Sequence, residues 1–362
     1  MYLLDYVREM RDVPTEETPF GEADILLFAV LPYLNVQGLV PESFDDAIGF
    51  PTLAARYAER SEAGKAPSGL IIPVDYGKAF CYAAHTRRYA GLSVCGYVSE
   101  IVPEEEKQFT ALLIRSQDGE LFVSFAGTDD TVLGWKEDCR LAVDGTMPAQ
   151  ACAMRYLNNV LSAFDGRFST MGTSKGGHLA VYAAAMCLSP ERLNCAYDFD
   201  GPGFSHAFLD GRAFSAVSDR CLLIAARYAA ISRILDNVPN VAVTRATKRG
   251  AYQHDCSCWV IENGAFVREP GFMPGSDAFH DAFMEMMERT TPRERREACL
   301  TLFGILERTD AKTLTELHRG RKQYLPEIMH AIRALPREER RNLFSIVIRV
   351  STMFGRNVGF KR

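Results

Sequence analysis

The stretch FSTMGTSKGGHLAVYAA, from Phe168 to Ala184, places one serine between two glycines where two sequence patterns meet. The short apolar run before the serine predicts a strand, and the alanine-rich run after it predicts a helix. A strand-to-helix turn that directs a side chain outward needs glycine two residues before and two residues after that side chain. Ser174, in Gly-Thr-Ser-Lys-Gly, meets this condition. It is therefore predicted to stand at the carboxyl edge of a sheet, unless the glycines only form a connecting turn.

Strands and helices alternate on both sides of this stretch. Between residues 90 and 265 the chain carries several apolar runs, and QFTALLIRSQDGELFVSFAGT has two β-rich runs flanking Asp118-Gly119. Asp-Gly between such runs is a strong hairpin signal, as is Asn263-Gly264 further on. Strands that alternate with helical segments predict a mainly parallel sheet covered by helices.

The pattern changes after about residue 275, where the chain becomes helical throughout. Thr291-Pro292-Arg293-Glu294 is a capping box with proline at the first helical position, so a helix is predicted to begin there. We expect two parts: residues 1–275, containing the sheet and N-terminal helices, and residues 276–362, a helical C-terminal region. This second region is a candidate for binding a protein partner.

One C-terminal helix carries an apolar stripe after a basic segment. The stripe consists of Leu343, Phe344, Ile346, Val347 and Val350. A stripe of this kind either packs against neighbouring helices or lies on a membrane surface, and packing is the commoner outcome. We therefore favour packing and keep peripheral membrane contact as an alternative.

The overall composition excludes several classes of protein. The 362 residues include 41 basic and 46 acidic side chains, so the net charge of −5 argues against binding nucleic acid through overall charge. No apolar run is long enough to span a bilayer, and the N-terminus lacks the features of a signal peptide. The ten cysteines are scattered, as in a cytoplasmic protein. Because Cys256 and Cys258 are spaced unlike a zinc or redox motif, we expect neither a metal nor a cofactor.

The predicted turn favours nucleophilic chemistry at Ser174. The backbone N–H of Lys175 would lie at a helix N-terminus, where backbone donors and the helix dipole favour a developing oxyanion. A nucleophilic serine also needs a second oxyanion donor, a base and usually an acid. These partners have to come from other parts of the chain.

Two further motifs resemble those of class 3, or fungal-type, lipase-like α/β-hydrolases. Phe125-Ala126-Gly127-Thr128, followed by Trp135 and Asp138, is similar to that family's F-R-G-[ST]…W…D signature, with alanine in place of the usual arginine. The resemblance implies that Thr128 supplies donors to the oxyanion hole and that Asp138 holds the Thr128 loop. QHDCSCW looks like the family's catalytic-histidine segment and implies that His254 is the base.

The acid is the position where this chain departs from the family. Class 3 lipases place a carboxylate between the nucleophile and the histidine, and the matching segment here has Ala229 and Ala230. Asp200, in DFDGPGF, is our first substitute, although aspartate before glycine is also a common turn residue. Asp236 and Asp255 are less favoured.

The wider resemblance covers roughly residues 1–265 and is similar to a bacterial branch of lipase-like proteins of unknown function. It implies an α/β-hydrolase fold with a helical C-terminal extension. The function that it implies is a serine hydrolase cleaving carboxylic esters, with a small-molecule acyl ester or a lipid as substrate. The alternative is a non-catalytic protein of the same fold that binds a ligand or partner. The absent family acid and the additional helices favour that alternative.

Overall fold

The central feature is one eight-stranded sheet whose strands lie side by side in sequence order. The structure is a computed structural model and describes residues 1–60 and 75–357. The sheet strands are β1 (Ile48–Gly49), β2 (Ser93–Val102), β3 (Lys107–Arg115), β4 (Leu121–Phe125), β5 (Phe168–Thr173), β6 (Leu193–Phe199), β7 (Cys221–Ala226) and β8 (Val241–Thr244). A separate hairpin consists of β9 (Ile261–Glu262) and β10 (Ala265–Phe266).

The sheet changes from antiparallel to parallel pairing at β4. Strands β1 to β4 pair antiparallel, and strands β4 to β8 pair parallel. Both predicted hairpins are confirmed: Gly119 has a φ of 91° between β3 and β4, and Asn263-Gly264 joins β9 to β10 with φ values of 52° and 80°. The parallel half contains the Ser174 turn, and with its flanking helices the sheet has the α/β-hydrolase fold.

Helices cover both faces of the sheet. They are α1 (Leu3–Met10), α2 (Glu22–Ala29), α3 (Phe50–Glu59), α4 (Asp75–Ala83), α5 (Val132–Asp144), α6 (Pro148–Ala163), α7 (Lys175–Met186), α8 (His206–Leu209), α9 (Arg212–Ser215), α10 (Pro274–Arg289), α11 (Pro292–Leu306), α12 (Leu314–Arg319), α13 (Arg321–Ala334) and α14 (Arg337–Asn357). Alternate strand residues enter different cores. Leu113 and Val123 pack with α6, α7 and α10, whereas Leu112 and Phe122 pack with α1 to α4.

A buried ion pair joins helix α2 to the segment between α4 and β2. Nε and Nη2 of Arg88 donate to Asp24 of α2, at 2.8 and 2.7 Å, and both side chains are fully buried. Arg88 also donates to the carbonyl of Thr18, and Asp24 accepts hydrogen bonds from the hydroxyls of Tyr6 and Tyr89. This network joins α1, α2 and the segment after α4 through bonds that leave neither charge unpaired.

The C-terminal region is helical in the described residues from Pro274 onward. The predicted capping box is confirmed, since Thr291 N donates to Glu294 and Glu294 N donates to Thr291 Oγ1. Helix α11 packs against α5, and a single bridge between Thr131 and Thr313 also joins this region to the segment before α5. The region therefore lies against the same part of the fold that carries Asp138.

The apolar stripe of α14 is only partly covered. Leu343 is buried and Ile346 is partly buried in packing, but Phe344 and Val347 are exposed. The side chain of Val350 lies outside those described. Within residues 1–60 and 75–357, no helix combines the length and apolar character needed to cross a membrane.

Replacing Arg88 by methionine is expected to lower the free energy of unfolding by about 3–5 kcal/mol, because Asp24 would remain as an unpaired buried charge. Urea unfolding measures the change. The control is Arg289→Met, whose partner Glu285 forms an exposed pair with side-chain exposures of 64% and 53%. The control should change the stability by less than about 1 kcal/mol. Equally small losses in both variants would contradict the role assigned to the buried pair.

Candidate active site

Ser174 occupies the tight turn between β5 and α7. Its φ of 56° and ψ of −131° are unusual for a residue with a side chain. A Cβ atom on Gly172 would lie 2.3 Å from the carbonyl carbon of Gly176, and one on Gly176 would lie 2.2 Å from the carbonyl oxygen of Phe125. Both glycines are therefore required by close backbone approach, and within the turn the strained conformation lies at Ser174.

The loop after β4 lies directly beside this turn. A Cβ atom on Gly127 would lie 3.2 Å from the Cβ of Ser174 and 2.0 Å from the hydroxyl oxygen of Tyr33. The next residue, Thr128, donates its hydroxyl to Asp138 Oδ2 of α5 at 2.5 Å. The structure thus places Thr128 and Asp138 in contact and brings their loop against Ser174.

Asp200 and His254 are joined by a hydrogen bond. His254 Nδ1 lies 2.7 Å from Asp200 Oδ2, and the Asp200 side chain is 1% exposed. Asp200 has a φ of 55°, so it is a second strained residue at the carboxyl edge of the sheet. The turn after it is held by a different carboxylate, because Gly201 N donates to Asp198 at 2.7 Å. Asp200 is therefore available to the histidine.

His254 is the last residue of a short 3₁₀ segment, Gly250–His254, and the residue before it, Gln253, holds this segment in place. Gln253 accepts a hydrogen bond from Tyr228 N at 2.9 Å, and its carbonyl accepts one from the indole of Trp259 at 2.8 Å. Trp259 is fully buried and packs edge-on against Phe266. The aromatic residue that follows the histidine motif thus anchors the segment that presents His254.

The other acidic candidates have different surroundings. Asp255 accepts hydrogen bonds from Lys248 and from Ser257 N, and Asp236 lies 3.4 Å from the imidazole of His206. Ala229 and Ala230, where the family resemblance expects the acid, are buried. Asp200 is the carboxylate that contacts His254.

A second histidine near the turn has a structural environment. His178 of α7 is fully buried, bonds to Gln150 and the carbonyl of Pro202, and stacks on Phe204 with ring centroids 4.2 Å apart. Burial lowers its pKa to about 4. His178 is therefore neutral near pH 7, and its ring contributes to the packing of α7, the helix after Ser174.

A cavity of about 300 Å³ opens beside these groups. Ser174, His254, Thr128 and Asp138 all line it. Its apolar lining includes Trp135, Leu141, Ile231, Ile234, Leu302 and Phe303. The hydrogen bonds of the described residues include none between Ser174 and His254, so the two side chains share the cavity without a direct bond.

Three polar residues at the site have no signal in the sequence pattern. The hydroxyl of Tyr33 donates to the carbonyl of Thr173 at 3.1 Å, one residue before Ser174. Gln108 and Glu137 surround the buried side chain of Lys175, where Glu137 Oε2 lies 2.9 Å from Lys175 Nζ. These residues lie 37 or more positions from Ser174 in the chain, and only the fold brings them to the turn.

Asp138 is electrostatically unusual. Burial raises its pKa to about 6 from an ordinary 3.8, with a further upward contribution from Glu137 and Asp129. The charge of Lys175 and the hydrogen bond from Thr128 act in the opposite direction. Asp138 Oδ1 is buried without a protein hydrogen-bond partner, consistent with the cost of ionising this carboxyl.

Because the folded-state pKa of Asp138 is raised, its stabilising contribution is fully present below pH 3.8 and is lost as pH rises through about 6. We expect the free energy of unfolding of the wild type to fall relative to that of Asp138→Asn by about 2 kcal/mol between pH 4 and pH 7. Urea unfolding of both proteins at four pH values in this range measures the difference. A difference that does not change with pH would contradict the raised pKa.

Comparisons with known proteins find similarity to one protein family and to solved structures of lipases. Solved structures similar to this chain include the Lip2 lipase from Yarrowia lipolytica, at 9% identity over 48% of this chain and 71% of that chain, with a TM-score of 0.35. The M37 lipase is 14% identical over 59% of this chain and 70% of that chain, with a TM-score of 0.37. None of the curated proteins searched matches the chain. A family model described as Mbeg1-like matches residues 83–304, which is more than half of the sequence and includes β2 to α10 and most of α11. The chain therefore belongs to the Mbeg1-like family.

Proposed function

We propose that this protein is a serine hydrolase that cleaves carboxylic esters through an acyl-enzyme on Ser174. One observation carries the proposal: the Asp200–His254 hydrogen bond lies at the cavity that also contains Ser174. The strained turn supports it, since strain at a residue with a side chain costs about 1–3 kcal/mol and is concentrated at functional sites. The turn then serves as a nucleophile elbow.

In the proposed acylation step, His254 takes the hydroxyl proton of Ser174 as Ser174 Oγ attacks the ester carbonyl. Nδ1 of His254 is bound to Asp200, so Nε2 is the nitrogen left for this transfer. Asp200 holds the ring orientation and stabilises the imidazolium that forms. The proton then passes to the leaving alcohol, and the acyl group stays on Ser174.

In the proposed deacylation step, His254 removes a proton from water as the water attacks the acyl carbonyl. The bond between the acyl carbon and Ser174 Oγ then breaks, His254 returns the proton to Oγ, and the carboxylic acid leaves. The oxyanion of both steps is bound by the backbone N–H of Lys175 at the N-terminus of α7 and by Thr128. Asp138 holds Thr128 through the 2.5 Å hydrogen bond to its hydroxyl. Water is the only co-reactant in this sequence.

The cavity favours an acyl group as the part of the substrate that is bound. Its walls contain aromatic and aliphatic side chains, among them Trp135, Ile234 and Phe303, which suit a hydrocarbon chain. Asp129 and Asp255 also line it, and carboxylates disfavour binding of an anionic group. A neutral acyl ester, free or in a lipid, fits these surroundings best.

The alternative, a non-catalytic binding module, depends mainly on the missing acid at Ala229 and Ala230. The hydrogen bond between Asp200 and His254 weakens this argument, because the Asp200 carboxylate, directly after β6, contacts the imidazole. The additional helices do not favour the alternative either, since α11 contributes Leu302 and Phe303 to the same cavity. The hydrolase is therefore the better supported function.

Wild-type protein is expected to react covalently with a fluorophosphonate probe, and Ser174→Ala should show no reaction because it lacks the attacking oxygen. Intact-protein mass spectrometry measures the adduct, and a panel of p-nitrophenyl esters measures turnover. Ser215→Ala removes an exposed serine of α9 and should react like the wild type. A wild-type protein that neither forms the adduct nor hydrolyses any ester of the panel would refute the proposed function.

Asp200→Asn is expected to lower kcat by up to about 10⁴-fold, because an amide favours the wrong imidazole tautomer and does not stabilise the imidazolium. KM for the same ester should change little. Asp236→Asn is the matched control, since Asp236 contacts His206 and not His254. If the control loses as much activity as Asp200→Asn, the carboxylate effect is not specific to the proposed triad.

A further inference from the structure

The side chain of Lys175 points away from the chemistry and into the protein. It is 1% exposed, and its three ammonium donors are matched by three acceptors. Lys175 Nζ lies 2.9 Å from the carbonyl of Gln108, 2.7 Å from the side-chain oxygen of Gln108 and 2.9 Å from Glu137 Oε2. An ammonium group with all its donors used is fixed in position, and so is the backbone to which it is attached.

Glu137 is equally constrained. It is fully buried, and Oε2 accepts a second hydrogen bond from Gln108 N of β3 at 3.1 Å. Oε1 accepts one from Ala149 N, in the first turn of α6, at 2.9 Å. One carboxylate thus joins β3, α6 and the start of α7 to α5, on which it lies.

Glu137 and Asp138 are adjacent residues of α5, so the ion pair and the Thr128 loop are held by the same helix. Asp138 accepts a hydrogen bond from the hydroxyl of Thr128. Lys175 carries one proposed oxyanion donor on its backbone, and Thr128 supplies the other. The Lys175–Glu137 bond therefore connects the elements that hold the two donors.

The charge of Lys175 needs this partner for a second reason. Lys175 is the first residue of α7, where the helix dipole disfavours a cation. A buried ammonium at this end is tolerated only when it is paired, so the ion pair and the turn are coupled.

We propose that the buried Lys175–Glu137 ion pair is a positioning device that sets the separation between the two oxyanion donors, Lys175 N–H and Thr128. This inference rests on the proposed hydrolase function. The Lys175 side chain and Glu137 are positioning groups, since they act through the backbone of the turn and through α5. Their contribution is made in the transition state, where the oxyanion forms.

Lys175→Met tests the inference because it removes the ion pair and keeps the backbone N–H. The rate of fluorophosphonate labelling and kcat for a p-nitrophenyl ester are expected to fall by about 10²-fold, the scale of a misplaced oxyanion donor. KM should change by less than about threefold. Affinity for an alkylboronic acid, which forms a tetrahedral adduct with the serine, should fall in parallel with kcat.

Arg88→Met is the matched control, because Arg88–Asp24 is also a buried ion pair but does not line the cavity. Its labelling rate per folded molecule, with the folded fraction taken from circular dichroism, should equal that of the wild type. Glu137→Gln is the second test if Lys175→Met does not fold, since an amide oxygen can still accept from Ala149 N. It should show the same loss in kcat with KM retained.

The outcomes separate this inference from the proposed function. A wild type that the probe does not label refutes the hydrolase and the inference together. A labelled wild type with Lys175→Met and Glu137→Gln labelled at the wild-type rate overturns the inference alone. Losses that only follow the folded fraction, as in Arg88→Met, also overturn it. Because Lys175→Met/Glu137→Gln also lacks the ion pair, its kcat is expected to stay low, and recovery to the wild-type kcat would assign the loss to an unpaired buried charge and overturn the inference.

Discussion

The arrangement of the whole site depends on one steric constraint, the contact between the Ser174 turn and the end of β4. The backbone of Gly176 approaches the carbonyl oxygen of Phe125 so closely that no side chain can stand between them. This contact fixes where α7 begins relative to the loop that carries Thr128. Because the interior is packed to crystal-like density, a shift at the turn has to move β4, β5 and α7 together.

Two residues at this edge have a strained backbone conformation. Ser174 and Asp200 both have positive φ, and they directly follow the neighbouring strands β5 and β6. Backbone strain of this kind persists only where the surrounding structure determines the conformation. The two cores on opposite faces of the sheet supply that determination, since both strands are packed on each side. The strained residues and the cavity therefore lie together at the carboxyl edge of the parallel strands.

Local patterns predicted the parts of the protein that depend on local physics. The Gly-Thr-Ser-Lys-Gly turn, the Asp118-Gly119 hairpin and the Thr291 capping box each follow from backbone preferences within a few residues. Glu137 and Tyr33 could not be found in this way, because their partners lie far away in the chain and a buried glutamate in a helix resembles a surface one. The contact between Asp200 and His254 spans 54 positions, and it forms because the parallel strands β6, β7 and β8 lie side by side between the two residues.

Helix α11 gives the cavity a wall that does not belong to the sheet. Leu302 and Phe303 come from a segment that joins the rest through its packing on α5 and through the bridge at Thr313. Substitutions of Leu302 or Phe303 can change the shape of the cavity without changing β5, β6 or the strained residues that follow them. The shape of the cavity and the geometry of the Ser174 turn can thus change independently, since separate parts of the fold specify them.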